Sequence, residues 1–479
     1  MFDLVIRAGE VVTPQGVILA DIGVTDGRIA AIGQLGPGRQ ELDAAGRMVL
    51  PGGVDPHAHI EQMSGMGLWN ADTFETATAS AALGGTTTVI SFAAQSKGQR
   101  LRDTVADYAA RAARGARIDH AYHITLTDLE VPDFACDLAA LIAAGHRSVK
   151  LFTTYNIGLS DAQILEVMAQ VKAAGGLVCV HAENDALIGW TKAKLLAAGL
   201  VRPEHHARAR PRLAEIEAVE RLCRFAEFFD QPVMIFHISI GEGVAAVRAA
   251  KARGAPVWAE TCVHYLLQTA AVLDRPGLEG AKWMCSPPQR EPADQQALWA
   301  GLTTGDLALV SSDHAPYRFD TSGKLGAGDG ARFDQIANGL PGLQTRLPLL
   351  FDAMVTQGRG GAVAFAEVTA TAPARLYGLP SKGAIAVGLD ADLVLWDPLR
   401  TVTYGANDLA DNAGYNPWEG VCVTGWPETV VLRGQVIVDG GALHAKPGQG
   451  RWLARSIGAA RPLGAPAAEF SYLAENGAL

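Results

Sequence analysis

Between roughly residues 51 and 375, short apolar runs alternate with Ala-rich stretches of helical pattern, and the alternation repeats eight times. The runs are Val49 to Asp55, Thr87 to Phe92, Ala121 to Leu126, Ser148 to Phe152, Leu177 to His181, Val233 to His237, Val257 to Thr261 and Leu307 to Asp313. Helical patterns such as Asp161 to Ala174 and Leu213 to Phe229 separate most of them. Eight β-α repeats predict a (β/α)8 TIM barrel, an α/β fold. A doubly wound open sheet is the alternative. It fits less well, because no Gly-rich nucleotide loop follows the first run.

The two chain ends read differently. Leu4 to Ile6, Glu10 to Val12, Ala20 to Val24 and Arg28 to Ile32 read as short strands, with a hairpin turn at Asp26-Gly27. That is too little chain for a β domain on its own. Further strands are expected at Gly383 to Gly388, Ala391 to Asp397, Thr429 to Leu432 and, after the turn at Arg433-Gly434, Gln435 to Asp439. Residues 1–50 and 376–460 are therefore expected to pair into one β-sandwich bracketing a barrel of residues 51–375. The tail, 461–479, is rich in Ala, Pro and Gly before Phe470, and reads equally as disordered or as an arm docked on a neighbouring subunit.

Composition narrows the function classes. The chain has 479 residues, 49% hydrophobic and 19% charged, enough to bury a large core in two or more domains. A net charge of −10 and the lack of a dense Lys/Arg stripe argue against nucleic-acid binding. No run approaches the ~18 continuous apolar residues of a membrane span. The start, Met1 to Arg7, lacks the basic-then-apolar layout of a signal peptide. The six cysteines have no CxxC spacing, and reduced thiols in a cytoplasm fit them better than a disulfide framework.

The chemistry-bearing residues stand at or near the carboxyl ends of the runs, the face on which such barrels build their sites. His57 and His59 flank Ala58. Residues i and i+2 of an extended strand point to one side, so the two imidazoles can share a metal ion. The competing reading is a surface turn that happens to hold two histidines. The other runs contribute Lys150, His181, His237 and Asp313. Each has a bland reading alone. A lone buried histidine is usually a hydrogen-bonded core residue, Lys150 could snorkel outward, and Asp313 could cap a helix. Four imidazoles, a carboxylate and a lysine on one rim suit one or two divalent ions with N/O ligands. A lysine with its reference pKa of about 10.4 is charged and has no lone pair for a metal. Burial beside a dication favours the neutral amine, and carbon dioxide added to that amine gives a carbamate that can bridge two metals.

These residues resemble those of the amidohydrolase superfamily, and within it the dihydropyrimidinases and hydantoinases, over nearly the whole length. The similar stretches are Pro51 to His59, Gly84-Gly85-Thr86-Thr87, Lys150 with Tyr155, Val180 to Asn184, Ala259 to Cys262, Cys285 to Arg290, Ser311 to Pro316, Ile336 to Gly339 and Tyr415 to Gly420. Ala259 stands where that family usually has glycine. The resemblance implies a zinc on His57, His59 and Asp313, and a second on His181 and His237. Carboxylated Lys150 and a hydroxide would bridge them. It implies that Tyr155 donates its hydroxyl to a developing oxyanion, that backbone groups at Ser286 and Asn338 hold a cyclic amide, and that the protein is a homotetramer. Metals lower the pKa of bound water to ~7, so the bridging hydroxide would be a nucleophile at neutral pH. An oxyanion donor such as Tyr155 is worth ~3–4 kcal/mol, and Asp313 would pass the hydroxide proton to the leaving nitrogen. An ordinary half-buried tyrosine is the bland alternative for Tyr155.

Departures from the family pattern follow the second histidine. Hydantoinases commonly have Asp where this chain has Glu61, followed here by Gln62, and the loop Met63 to Asn70 is also different. By resemblance, Met63, Leu68 and Trp69, with Phe152, would shape an apolar pocket for the ring substituent; alternatively they pack the loop down. The expected reaction is opening of a hydantoin or dihydropyrimidine ring. A cyclic-imide hydrolase or allantoinase-like enzyme is the alternative, and a non-catalytic scaffold of the same fold a more distant one. Dihydroorotases usually have Arg after the histidine pair to read a carboxylate, which Glu61 and Gln62 do not provide.

Overall fold

In a computed structural model, which describes residues 1–477, eight parallel strands pair in sequence order. They are Gly53–Ala58, Thr86–Ala94, Asp119–Thr125, Ser148–Phe152, Leu177–His181, Val233–Ile235, Val257–Cys262 and Leu309–Ser311. A parallel bridge between Ala58 and His314 brings the last strand against the first, and the sheet closes into a (β/α)8 barrel. Helices such as Asp161–Ala174 and Arg212–Phe229 surround it. The first of these starts at a Ser160/Gln163 capping box and ends at Gly175 in the left-handed region, the start and stop chemistry a helix needs.

Alternate strand residues enter two separate cores, as a period of two requires. Val89, Val178, Val180 and Ile235 pack with helix residues such as Val167 and Leu222. Ile90, Phe92, Cys179, Met234 and Phe236 fill the barrel interior, which Leu376 and Tyr377 seal from below. One end of the barrel is thus plugged, and the carboxyl ends of the strands are left for a site.

Both chain ends build the second sheet. Its order is Ala442–Leu443, Gln435–Asp439, Cys422–Leu432, Leu393–Thr403, Met48–Pro51, Phe2–Thr13, Gly16–Thr25 and Arg28–Gly33, with Gly38–Asp43 parallel to Phe2–Thr13. This sandwich encloses its own core, where Leu4, Ile22 and Ile29 from one end meet Leu393, Leu395 and Val431 from the other. The hairpins at Asp26-Gly27 and Arg433-Gly434 have both central residues at positive φ, the two-residue turn that matches strand twist.

Two local expectations are corrected. The first apolar run is two strands: Met48–Pro51 belongs to the sandwich and Gly53–Ala58 to the barrel. The chain changes sheet at Gly52-Gly53, where a Cβ would lie 2.3 Å from Thr87 Oγ1 or 2.6 Å from Leu347 Cδ1. Gly383 to Gly388 is a turn segment, because both glycines lie at positive φ, 85° and 93°. A further strand, Gly38–Asp43, has no reading from its own polar sequence; its pairing is supplied by Phe2–Thr13. In the tail, helix Ala468–Glu475 docks on its own chain: Phe470 packs 4.8 Å from Phe229, centroid to centroid. The last two residues of the 461–479 tail lie outside the described residues. No helix among the described residues is long and apolar enough to cross a membrane.

Candidate active site

The barrel brings the six rim residues to the unplugged end. Lys150 and His181 lie within the fourth and fifth strands, and His57 in the first. His59, His237 and Asp313 follow just beyond strand ends. His237 and Asp313 lie at φ 40° and 45°, and Tyr155 at 69°. Positive φ disfavours any side chain with a Cβ, and such strain persists where surrounding packing imposes it, commonly at functional sites.

His57, His59 and Asp313 converge. Asp313 Oδ1 lies 3.0 Å from His57 Nε2 and 3.3 Å from His59 Nε2, and one donor atom from each of the three lies within 4.8 Å of the others. Beside them, the rings of His181 and His237 meet edge to face, centroids 4.5 Å apart, and His237 is 5.5 Å from His57. Lys150 is 1% exposed, its Nζ 3.9 Å from the Phe236 ring centroid and 4.8 Å from that of Phe152. Burial among these faces pushes its pKa down to about 7, against the upward pull of Asp313 and Glu260.

These donors fit divalent metal. His237 Nδ1 is buried without a hydrogen-bond partner, and His57 Nε2 faces only Asp313 Oδ1. Burial pulls the pKa of the His57 imidazole down, but Asp313 and Glu260 outweigh it, so the two carboxylates favour a cation at this position, a proton or a metal ion. Burial would also raise Asp313, yet His57 and His59 keep its carboxylate ionised, well below the usual range. A ring of ligand atoms with unspent lone pairs and net negative character is what a hard or borderline cation requires.

Three orienting residues were quoted within motifs or departures but given no role by the sequence. Glu260 accepts from His57 Nδ1 at 2.5 Å, leaving Nε2 for the rim. Gln62 accepts from His59 Nδ1 at 2.8 Å. Glu183 accepts from His181 Nε2 at 2.6 Å and pairs with Arg210 at 2.9 Å. Burial alone would raise Glu183, but Arg210 holds it down at about 2. The available signal was a glutamate within or just after an apolar run, Glu260 and Glu183. Glu61 does something else: it accepts from the backbone N–H of Phe74, at the start of helix Phe74–Leu83.

A cavity of about 380 Å³ opens over the rim. Tyr155, Ser286 and Asn338 line it beside the six rim residues. Tyr155 is 37% exposed overall, but its ring is edge-on to His181 and its hydroxyl faces Ser286 and Asn338. Desolvation raises its pKa, so it stays a donor at neutral pH. Ser286 Oγ and Asn338 Oδ1 are buried without partners, free for a ligand. Met63 and Phe152 line the cavity, with Met66 and Ile157. Leu68 and Trp69 do not: the loop folds back through a Met63–Trp69 bridge, which turns Leu68 onto Ala315 and Tyr317 and leaves Trp69 exposed, under Arg111. Asn156 ties this loop to the segment after Lys150, donating to Gly65 O at 2.9 Å.

The model of the amidohydrolase family matches residues 48–437. D-hydantoinase of Ralstonia pickettii is 40% identical over 458 residues, covering 95% of this chain and 99% of the relative. A solved D-hydantoinase structure superposes with a TM-score of 0.91 at 40% identity, over 95% of this chain and 99% of that one. Dihydropyrimidinase from Brevibacillus agri NCHU1002 superposes with 0.91 at 35% identity and the same coverage.

Proposed function

Since the chain belongs to the amidohydrolase family, and within it to the hydantoinases and dihydropyrimidinases, we propose that it opens a cyclic amide ring of the hydantoin or dihydropyrimidine class by hydrolysis. The observation that carries this is the convergence of His57, His59, Lys150, His181, His237 and Asp313 under one cavity that also presents Tyr155, Ser286 and Asn338. His57, His59 and Asp313 would hold one zinc, His181 and His237 another, with Lys150 between them as its carbamate. Lys150 is fitted to that modification: near pH 7 a buried amine with a pKa of about 7 is substantially neutral, and its nitrogen can add to carbon dioxide with loss of one proton. When bound, the metal supplies a water ionised near neutral pH.

The protein residues do the rest. Ser286 and Asn338 orient the ring, and Tyr155 donates its hydroxyl to the carbonyl oxygen as charge develops there. Asp313 takes the proton of the attacking water and delivers it to the departing ring nitrogen. Met63, Met66, Phe152 and Ile157 line the cavity and shield this chemistry. From the family resemblance we also propose a homotetramer, which size-exclusion with light scattering would read.

The test is a substrate panel on purified protein supplied with zinc and bicarbonate: dihydrouracil, hydantoin, both hands of 5-phenylhydantoin, succinimide and allantoin, ranked by kcat/KM. Hydantoins or dihydrouracil should lead, and Lys150→Ala should abolish turnover, with partial recovery in a short-chain carboxylate. A leading succinimide or allantoin would select the cyclic-imide or allantoinase reading. No ring opening by the metal-loaded protein would sink the enzyme reading altogether.

A further inference from the structure

Beside the cavity over the rim lies a second chamber of about 230 Å³. The two share Met66, Tyr155, Lys192 and Asn338. One wall is a single face of helix Asp185–Ala197: Asp185, Ile188, Gly189 and Lys192 follow the i, i+3, i+4, i+7 spacing. A Cβ on Gly189 would meet nothing within 4 Å, so the chamber is open directly in front of the helix backbone. Phe333 and Ile336 give it apolar surface.

The charges around it are engaged, save one. Asp185 accepts from Thr154 Oγ1 at 2.7 Å and from the Tyr155 N–H at 3.3 Å. Arg210 is paired with Glu183 at 2.9 Å. Asp334 feels Lys192 but is clasped by Arg332 through bonds of 2.9 and 3.0 Å. His206 donates to Cys285 O at 2.7 Å. Lys192, half-buried at the junction of the two chambers, has no carboxylate within salt-bridge reach among the described residues.

We propose that the second chamber receives the exocyclic substituent of the ring, and that Lys192 selects a substituent with a short apolar stem ending in a carboxylate. The inference rests on the ring-opening reading and adds the substrate class to it. Tyr155 and Asn338, which hold the ring in that reading, stand at the junction, so a ring held there projects its substituent into the chamber. A partly desolvated ammonium is better satisfied by a carboxylate than by a neutral group, because charge-assisted bonds are about twice as strong as neutral ones. An apolar end would leave it unpaired.

The test compares, on the zinc-loaded enzyme, 5-(2-carboxyethyl)hydantoin with its amide, 5-(2-carbamoylethyl)hydantoin, which has nearly the same shape. The wild-type enzyme should favour the carboxylate by about tenfold or more in kcat/KM, carried mainly by KM. Lys192→Met should bring that ratio close to one. Lys192→Glu should turn the preference toward 5-(3-aminopropyl)hydantoin. Gly189→Leu, whose side chain would occupy the chamber, should lower kcat/KM for both substituted rings relative to hydantoin itself. The ratios are internal to each variant, so partial loss of metal cancels. Ring opening of hydantoin with no discrimination between acid and amide, or discrimination that survives in Lys192→Met, would overturn this proposal alone. Failure to open any ring, hydantoin and dihydrouracil included, would overturn the ring-opening reading and this proposal with it.

Discussion

An imidazole has two nitrogens, and what holds one decides what the other can do. His123, a buried histidine in the third barrel strand, has both engaged, by Ser148 Oγ at 2.6 Å and Pro56 O at 2.9 Å, and is structural. At the rim, Glu260, Gln62 and Glu183 each engage one nitrogen of His57, His59 and His181 and leave the other facing inward. Glu260 is fully buried and lies 2.5 Å from its histidine, so it fixes both the tautomer and the ring plane. Glu260→Gln keeps an acceptor there but removes the charge. It should lower ring opening about 10–100-fold and weaken metal retention to a similar degree. Metal content after dialysis, beside kcat/KM, reads this. A variant that keeps full metal and full rate would refute the orienting role.

At the scale of elements, the chain's change of sheet at Gly52 is a tight backbone passage leading to the rim. A Cβ there would lie 2.3 Å from Thr87 Oγ1 and 2.5 Å from Thr87 Cγ2, both in the neighbouring strand. Gly52→Ala should therefore overpack the joint and cost about 1–3 kcal/mol. Thr87→Ala removes those two atoms, so the double variant should be less damaged than the sum of the singles, read as thermal midpoints around a mutant cycle. Additive effects would show that the strand edges give way elsewhere. The same joint explains what was legible beforehand. Val49 to Asp55 reads as one apolar run because both sheets bury it, and only the glycine pair marks the change. Lys150 and His181 were legible because the strand period fixes their side, whereas the partner of His57 lies 203 residues away, beyond the reach of any local pattern. Leu68 and Trp69 were misplaced for a similar reason. Their hydrophobicity shows that they pack, but the fold-back at Met63–Trp69 decides against what.

At the scale of the molecule, sandwich and barrel are joined by a buried ionic group as well as by shared strands. Lys382 Nζ lies 2.7 Å from Asp119 Oδ2, at the start of the third barrel strand, and 2.7 Å from Asp392 Oδ2, beside the sandwich strand Leu393–Thr403. Arg433 adds a second cation to Asp119. Asp390 lies 3.1 Å from the Lys382 ammonium, and Asp119, Asp392 and Lys382 are each at most 5% exposed. Breaking a buried pair from one side costs more than the pair is worth, because the abandoned charge stays out of water. Lys382→Met should thus destabilise by about 3–5 kcal/mol, whereas Lys382→Met with Asp392→Asn should recover part of the loss, since Asn can still accept from the Arg433 N–H that Asp392 Oδ1 receives at 2.8 Å. The pH dependence has a definite sign. Burial raises the Asp119 carboxyl, but Lys382 and Arg433 outweigh it and hold its pKa below the ordinary 3.8. Its contribution is therefore complete above the unfolded value of about 3.9 and lost as pH falls below it toward the depressed native value. With Lys382 gone the native value rises, the depression shrinks, and the wild-type advantage over Lys382→Met should narrow as pH drops through that window. Thermal midpoints of both proteins between pH 7 and pH 3 measure it. A gap that stays constant to pH 3 would show that Lys382 acts through packing and not through the charge of Asp119.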